Sequence, residues 1–407
     1  MAASAVRPRI ASFGPSVGRP SILIGVTHPQ TCLVLNSRLR ALRAAGFHVT
    51  LVASPGPLLD QTAAEEKVDA VPIPMCREIA PLADLVSLFR LWRLLGKCKP
   101  DIVEFSTPKA GLLGALAAWL RRVPWRVYML RGLKLETATG CKRSVLLIAE
   151  RVAAACAHVV LCNSESLRAR ALELGVASCE KLQLLADGSS NGVNVRRFSP
   201  GPANLREALG FSAEDKVIGF VGRLTRDKGV PELLTAFETI LAAEPAARLL
   251  LVGWFDQAED MLAREVQARI ESHPAIRLTG FVQDTAPYYR AMDLMVLPTR
   301  REGFPNVVLE AAATGVAVVA TDATGSRDSV SPEVTGLLIP PGDPAAIAGA
   351  VLELLRNPER RERMSRAARS WVLERYGDER VLAAVTGFYR GMLQTQQLIE
   401  APALRSL

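Results

Sequence analysis

The stretch "KVIGFVGRLTRDKGVPELLTAF", residues 216–237, changes its period halfway along. Val217 to Val221 form a short β-branched and aromatic run, the composition of a buried strand, and the run ends at Gly222. Pro231, a residue tolerated in the first turn of a helix, then opens a segment in which Leu233, Leu234 and Phe237 recur at helical spacing. Strand, loop and helix make one βα unit.

The same unit repeats outward in both directions. "SILIGVT", "FHVTLVAS", "VDAVPIPM", "DIVEFST", "WRVYMLRG", "HVVLCNS" and "KLQLLAD" alternate with helical patterns from residue 21 on, the signature of βαβ winding. The turn-rich segment "DGSSNGVNVRRFSPGP", 187–202, interrupts them as a linker. "KVIGFVGRL", "ARLLLVG", "AIRLTGF", "DLMVLPT", "VAVVAT" and "GLLIP" then give a second parallel sheet, with helices near 231–243, 258–272, 306–314 and 344–356 and a last amphipathic stretch at 379–395. The expected fold is α/β with two Rossmann-like doubly wound domains facing across a cleft. The boundaries are a basic tail at 1–20, an N-terminal domain at 21–197 joined by a helix returning at about 379–407, and a C-terminal domain at 198–378. Ligands of such sheets bind outside the carboxyl ends of the strands.

Composition narrows the function. The chain has 407 residues, more than one core supports, and its 49% apolar and 22% charged content is that of an ordinary globular protein. Seven scattered cysteines without CxxC pairing fit a reducing, cytoplasmic setting. No apolar run reaches membrane-spanning length, and the start lacks a secretory pattern. Residues 1–200 hold 26 Lys/Arg against 14 Asp/Glu, and residues 201–407 hold 23 against 27, so the first half is the one suited to a polyanion.

Two motifs carry chemistry. In "FVGRLTRDKGV", 220–230, Arg223 and Lys228 sit on one loop after Gly222, an arrangement that suits a diphosphate or, read blandly, a solvated loop. In "RREGFPNVVLEAAATG", 300–315, a helix should begin near Pro305 or Asn306, with Gly303 permitting close approach of an anion to its N-H groups. Glu310 lies one turn inside that helix among Val and Ala. It needs a partner there, either a ribose diol or a nearby arginine.

With these motifs in view, the chain resembles retaining GT-B glycosyltransferases of glycosyltransferase family 4 over about residues 21–395. The resemblance rests on "FVGRLTRDKG", "GFVQDTAPYYRAMDLMVLPTRREGFPNVVLEAAATGVAVVAT", "VTGLLIPPGD", "TPKAGLLG", "YMLRGL" and "GSSNGVNVRRFSP". It implies that Arg223 and Lys228 bind the donor diphosphate, Glu310 the ribose and Glu302 the donor sugar, with Arg223, Lys228 and Glu302 as the catalytic set. The backbone of Gly303, Phe304, Pro305 and Asn306 would line sugar and phosphate, and Gly222, Phe281 and Val282 would complete the donor pocket. The N-terminal half is most similar to the branch acting on polyprenyl-diphosphate carriers in bacterial capsule and O-antigen synthesis, where the donor is usually a UDP-sugar. The stretch "EFSTPKAG" departs from relatives that carry histidines there, and Asn194 stands where they usually have Asp. Acceptor contacts are expected from His28, Glu104, Ser106, Thr107, Lys109 and Arg131.

No DxD or His cluster calls for a metal, and no cofactor is implied, the nucleotide sugar being a substrate. The stretch 82–100, with Leu, Phe and Trp beside Arg90, Arg93, Lys97 and Lys99, either covers a sheet or lies on an anionic membrane, which would place the protein peripherally at the inner face of the plasma membrane. The expected partners are a nucleotide-sugar donor and a saccharide or lipid-linked saccharide acceptor, and no nucleic acid. Two rival readings stand beside sugar transfer: a GT-B epimerase or phosphorylase, and a nonenzymatic binder of nucleotide sugars or nucleic acid.

Overall fold

The computed structural model describes residues 19–256 and 260–400. Expectations for residues 1–18 of the basic tail and for 401–407 of the returning helix lie outside these residues.

Two parallel sheets organise the chain. The first holds β1 Ser21–Gly25, β2 His48–Ala53, β3 Asp69–Pro72, β4 Ile102–Ser106, β5 Trp125–Leu130, β6 Val159–Cys162 and β7 Leu182–Leu184, in the order β3, β2, β1, β4, β5, β6, β7. The intervening helices are α1 Asn36–Ala44, α2 Pro57–Glu66, α3 Pro81–Cys98, α4 Pro108–Leu120, α5 Gly140–Cys156 and α6 Glu165–Glu173. After the short α7 Leu205–Ala208 comes the second sheet: β8 Lys216–Val221, β9 Ala247–Val252, β10 Ile276–Leu278, β11 Leu294–Leu297, β12 Ala317–Thr321 and β13 Gly336–Ile339, ordered β10, β9, β8, β11, β12, β13. Its helices are α8 Val230–Ala243, α9 Arg264–Ser272, α10 Ala286–Arg290, α11 Asn306–Thr314, α12 Pro344–Arg356 and α13 Pro358–Arg375. The chain ends in α14 Asp378–Glu400.

Both orders reverse direction once, between β1 and β4 and between β8 and β11. These switch points are where doubly wound sheets open a crevice for ligand. The strands are apolar on both faces because helices cover both. Val318 of β12 packs into the layer of Met295, Leu309 and Tyr376, whereas its neighbour Val319 packs into that of Phe220, Phe237 and Ile347.

By contacts the described residues divide into two compact units, one of residues 19–163, 168–191 and 379–400, the other of 164–167, 192–256 and 260–378. Val385, Tyr389 and Met392 of α14 lie in the first unit's core with Ile22, Leu39 and Leu51. In the second unit Val193 N-H donates to the Tyr376 carbonyl at 2.8 Å and Asp378 N-H to the Val193 carbonyl at 3.0 Å, so the two chain crossings run paired.

One helix starts later than its sequence suggests: α9 begins at Arg264 rather than near 258. Arg226 N-H bonds the Asp260 carbonyl at 2.8 Å and Met261 bridges Thr225, so this segment is spent bracing the loop after β8.

Candidate active site

In the second unit the predicted donor residues follow the carboxyl ends of three strands of the sheet. Gly222 and Arg223 follow β8, Phe281 and Val282 follow β10, and Glu302 to Asn306 lead from β11 into α11. The loop after β8 is shaped by Gly229 (φ 72°), where a Cβ would come 1.9 Å from the Pro298 carbonyl oxygen. This contact presses the loop against the segment leaving β11.

Asp227, which sequence reasoning passed over, joins the two loops. Its carboxylate accepts from Thr225 Oγ1 at 2.6 Å and from Arg301 Nη2 at 3.0 Å, and its carbonyl accepts from Arg300 N-H at 2.9 Å. Burial works against this charge, yet Lys228, Arg301 and the Thr225 hydroxyl outweigh it and hold the carboxyl below its ordinary value, with Arg223 adding to the pull. The next residue, Lys228, thereby forms an ion pair with Glu302, both largely buried. Glu302 is backed in turn by its N-H to the Thr324 carbonyl at 2.9 Å and by Gly325 (φ 75°), where a Cβ would lie 2.6 Å from the Glu302 and Gly303 oxygens.

Arg223 is brought within electrostatic reach of Asp227, but its Nη1 is bonded to Asp256 at 2.6 Å, a second partner that sequence reasoning missed. The helix start expected near Pro305 or Asn306 falls at Asn306, and the N-cap Pro305 supplies no side-chain cap. A helix end of this kind attracts anions. The Phe304 ring is buried against Tyr376, with centroids 5.2 Å apart, so Phe304 has only its backbone to offer a ligand.

Glu310 has a partner within the protein that its sequence neighbourhood does not announce. Tyr289 of α10 donates its hydroxyl to Glu310 Oε2 at 2.8 Å and Thr285 Oγ1 approaches at 3.5 Å. The carboxylate among apolar neighbours therefore has a protein partner, a tyrosine rather than an arginine. Burial pushes its carboxyl up to about 7, against the Tyr289 hydrogen bond and the charge of Arg197. Phe281 is half exposed and stands edge-on to Trp254, centroids 5.3 Å apart, beside a half-buried Val282. Trp254, immediately after β9, is an aromatic that the sequence reading left unassigned.

The acceptor candidates of the first unit fall into separate groups. His28, after β1, is half-buried and lines a hollow of about 600 Å³ with Gln30, Ser54, Met75 and Arg77. Lys109, in the first turn of α4, is bonded to Asp84 at 2.7 Å and to the Glu78 carbonyl. Thr107 (φ 72°) ties β4 to β1 at the switch point, its Oγ1 2.6 Å from that of Thr27. Ser106 accepts from Arg131 Nε at 3.1 Å, and Arg131 Nη1 donates to Ser190 Oγ at 3.1 Å.

Glu104 is a correction. It is fully buried, ion-paired with an equally buried Arg38 and hydrogen-bonded by Tyr389 of α14, so it faces the core and touches no acceptor. A charge inside the all-buried strand "IVEFS" requires such a partner. Asn194, in place of an expected Asp, performs a turn function, its Oδ1 accepting from Arg196 and Arg197 N-H at 3.2 and 2.9 Å. Among the described residues no group of three or more His, Cys, Asp and Glu side chains is placed to hold a metal ion, and no helix is long and apolar enough to cross a membrane.

Comparison with known proteins adds the following. Residues 215–357 match the family described as glycosyl transferases group 1, and residues 34–185 the glycosyl transferase 4-like domain. The chain is 34% identical over 373 residues to the capsular polysaccharide biosynthesis glycosyltransferase CapM of Staphylococcus aureus, covering 91% of this chain and 97% of that one. It is 30% identical over 319 residues to the Escherichia coli UDP-Gal:alpha-D-GlcNAc-diphosphoundecaprenol alpha-1,3-galactosyltransferase, covering 76% and 80%. Its fold is shared with Anabaena HepE, solved with UDP and glucose, at a TM-score of 0.76 and 20% identity over 91% of this chain and 99% of that one. Sucrose-phosphate synthase of Thermosynechococcus elongatus shares it at 0.76 and 22% identity over 93% and 100%.

Proposed function

The chain belongs to the group 1 glycosyltransferases, with the GT-B fold, and from that premise we propose that it transfers a sugar from a uridine diphosphate donor to a saccharide on a polyprenyl diphosphate, with retention of anomeric configuration, in the synthesis of a bacterial capsule or related surface polysaccharide. The names of the two relatives above support the substrate classes. The observation that carries the donor reading is the Lys228–Glu302 pair at the entrance to α11, with Asp227 stitching the two loops together.

In this reading the diphosphate lies against Lys228, Arg223 and the start of α11. As the bond from the sugar C1 to the diphosphate oxygen breaks and a new one forms to the acceptor hydroxyl oxygen, negative charge collects on the leaving group, which takes up the hydroxyl's proton. The two cations and the helix terminus are the groups proposed to stabilise it. Lys228 then exchanges part of its pairing with Glu302 for phosphate, which leaves the Glu302 carboxylate to meet sugar hydroxyls. Glu310 holds the ribose through Oε1, its Oε2 being engaged by Tyr289. Phe281 and Trp254 offer apolar surface to the base. With the charge met by side chains and amides, the transfer needs no divalent cation.

We also assign a membrane face to the first unit. Leu82, Leu85, Val86 and Phe89 are exposed at spacings of three and four along α3, and Arg90 and Arg93 continue the stripe. On α5, which packs with α3 on α4, Val145 and Ile148 are exposed beside Lys142 and Arg143. Apolar side chains ringed by cations suit the headgroup region of an anionic bilayer, where a lipid-linked acceptor resides.

The test is to incubate the full chain with UDP-sugars and polyprenyl-diphosphate-linked saccharides in EDTA. The product is analysed by mass and by the anomeric proton coupling. A lengthened lipid-linked glycan with the donor's anomeric configuration is expected. Consumption of nucleotide sugar without an acceptor would turn the assignment to an epimerase or phosphorylase. Absence of donor binding, with salt-steep nucleic-acid affinity, would turn it to a binder.

A further inference from the structure

A buried charge cluster in the first unit does not balance. Arg38 and Glu104, both fully buried, pair with each other, and Tyr389 bonds both. Arg131 joins them from the carboxyl end of β5. The charged and titratable groups that act on it are one carboxylate (Glu104), one guanidinium (Arg38) and one phenol (Tyr389), so two cations face a single anion.

Ser106 and Ser190 occupy Nε and Nη1 of Arg131, while its buried Nη2 has no hydrogen-bond partner among the described residues. Arg131 as a whole keeps partial exposure at the carboxyl end of β5, which leaves a way in. Burial lowers its pKa to about 10, with Arg38 adding to the drop, so the guanidinium stays charged and under-compensated.

The loop supplying Ser190 has matching features. Gly188 has φ 103° and Ser189 has φ 61°, a backbone that L side chains adopt only when the surroundings enforce it. The next two residues, Ser190 and Asn191, are buried, and among the described residues their backbone N-H groups reach no acceptor. Consecutive N-H groups after such a turn form a concavity for anions.

We propose that Arg131 Nη2 and the backbone N-H groups of Ser190 and Asn191 form an anion subsite that takes a phosphate of the acceptor's polyprenyl diphosphate. A diphosphate oxygen supplies both the missing acceptor and the missing negative charge. Assigning it to the acceptor rests on the function proposed above, since the donor's diphosphate has Arg223 and Lys228 in the other unit.

Binding, which needs no turnover, is the test. The affinity of the full chain for farnesyl diphosphate, farnesol and UDP is measured by calorimetry, for wild type and Arg131→Gln. The expected result is at least a tenfold loss for farnesyl diphosphate, with farnesol and UDP changed by less than about twofold. Equal farnesyl diphosphate affinity in the variant, or no binding by the wild type, overturns the subsite. A loss for UDP alone reassigns the anion to the donor and overturns the acceptor assignment. A wild type that binds farnesyl diphosphate through Arg131 yet transfers no sugar would sink the proposed function and leave the subsite standing. If the variant does not fold, phenylglyoxal labelling of the wild type decides. Farnesyl diphosphate should shield the peptide containing Arg131, and unshielded labelling refutes the proposal.

Discussion

Tyr289 donates its hydroxyl to Glu310 across 2.8 Å, so a carboxylate set among Val and Ala on α11 is partnered before any ligand arrives. One oxygen is thus committed, which leaves the other for the ribose of the proposed donor. With its carboxyl raised to about 7, only the ionised fraction accepts both ribose hydroxyls, and UDP affinity should climb as pH rises through about 7 and then level. Folding stability should run the other way. A folded value above the ordinary 4.5 gives a contribution fully present below about 4.5 and lost as pH rises through about 7. Glu310→Gln should flatten both profiles and weaken UDP about tenfold. Tyr289→Phe, which removes a bond favouring the ionised form, should move the binding midpoint upward. Calorimetric UDP titrations across a pH series check the binding profiles, and thermal melts over the same series check the stability profile.

Arg223 and Lys228 are predicted to act on the departing diphosphate. Alanine at either position should lower turnover about 10²- to 10³-fold, the loss typical of one electrostatic donor. Asp227→Asn should differ in kind, because its charge holds Lys228 and Arg301 together. A melting-temperature drop reflecting about 3 kcal/mol is expected alongside lower turnover. Because the Asp227 carboxyl is held below its ordinary value, the stability it confers is present above about pH 4 and lost as pH falls through the lower folded value. Steady-state kinetics paired with thermal melts separate these cases, and wild-type turnover in Lys228→Ala would sink the donor site.

The apolar runs of the sequence became strands because a parallel strand buried on both faces has to be apolar throughout, a local requirement that composition records. The start of α11 was legible for the same reason, Pro305 and Asn306 being local signals. What escaped was pairing over distance. Tyr389 meets Glu104 across 285 residues, and no periodicity records such a partnership. Two half-signals were present. Arg38 sits on the face of α1 set by Leu39 and Leu42, and Tyr389 continues the spacing of Val381 and Val385, each a polar group in a core position. Asp227 and Trp254 gave less notice, since an aspartate between two cations and an aromatic after a strand are ordinary on a solvated loop.

The α3 face should hold the protein on anionic vesicles. Leu85 and Phe89 are both more than half exposed, and replacing them by serine gives up little packing beyond the Phe89 stack on Trp92, so the fold should be kept while sedimentation with phosphatidylglycerol vesicles falls severalfold. Neutral vesicles should bind weakly, and added salt should release the wild type. Undiminished sedimentation of the double variant would exclude this face.

The Arg38–Glu104 pair makes the sharpest stability prediction. Both side chains are fully buried, so Glu104→Ala strands a guanidinium without its counter-charge, at an expected cost of about 3 to 5 kcal/mol in urea unfolding. Replacing both residues by methionine should cost much less than the single change, because a buried ion pair returns little beyond its own desolvation. Tyr389→Phe, which leaves the pair and removes one hydroxyl bonded to each partner, should cost about 1 to 3 kcal/mol. Since Tyr389 lies on α14, that loss should also loosen the helix from the first unit's core, seen as faster amide exchange around Val385 and Met392. If Glu104→Ala and the double methionine variant unfold at the same urea concentration, the pair is not the electrostatic unit that its burial implies.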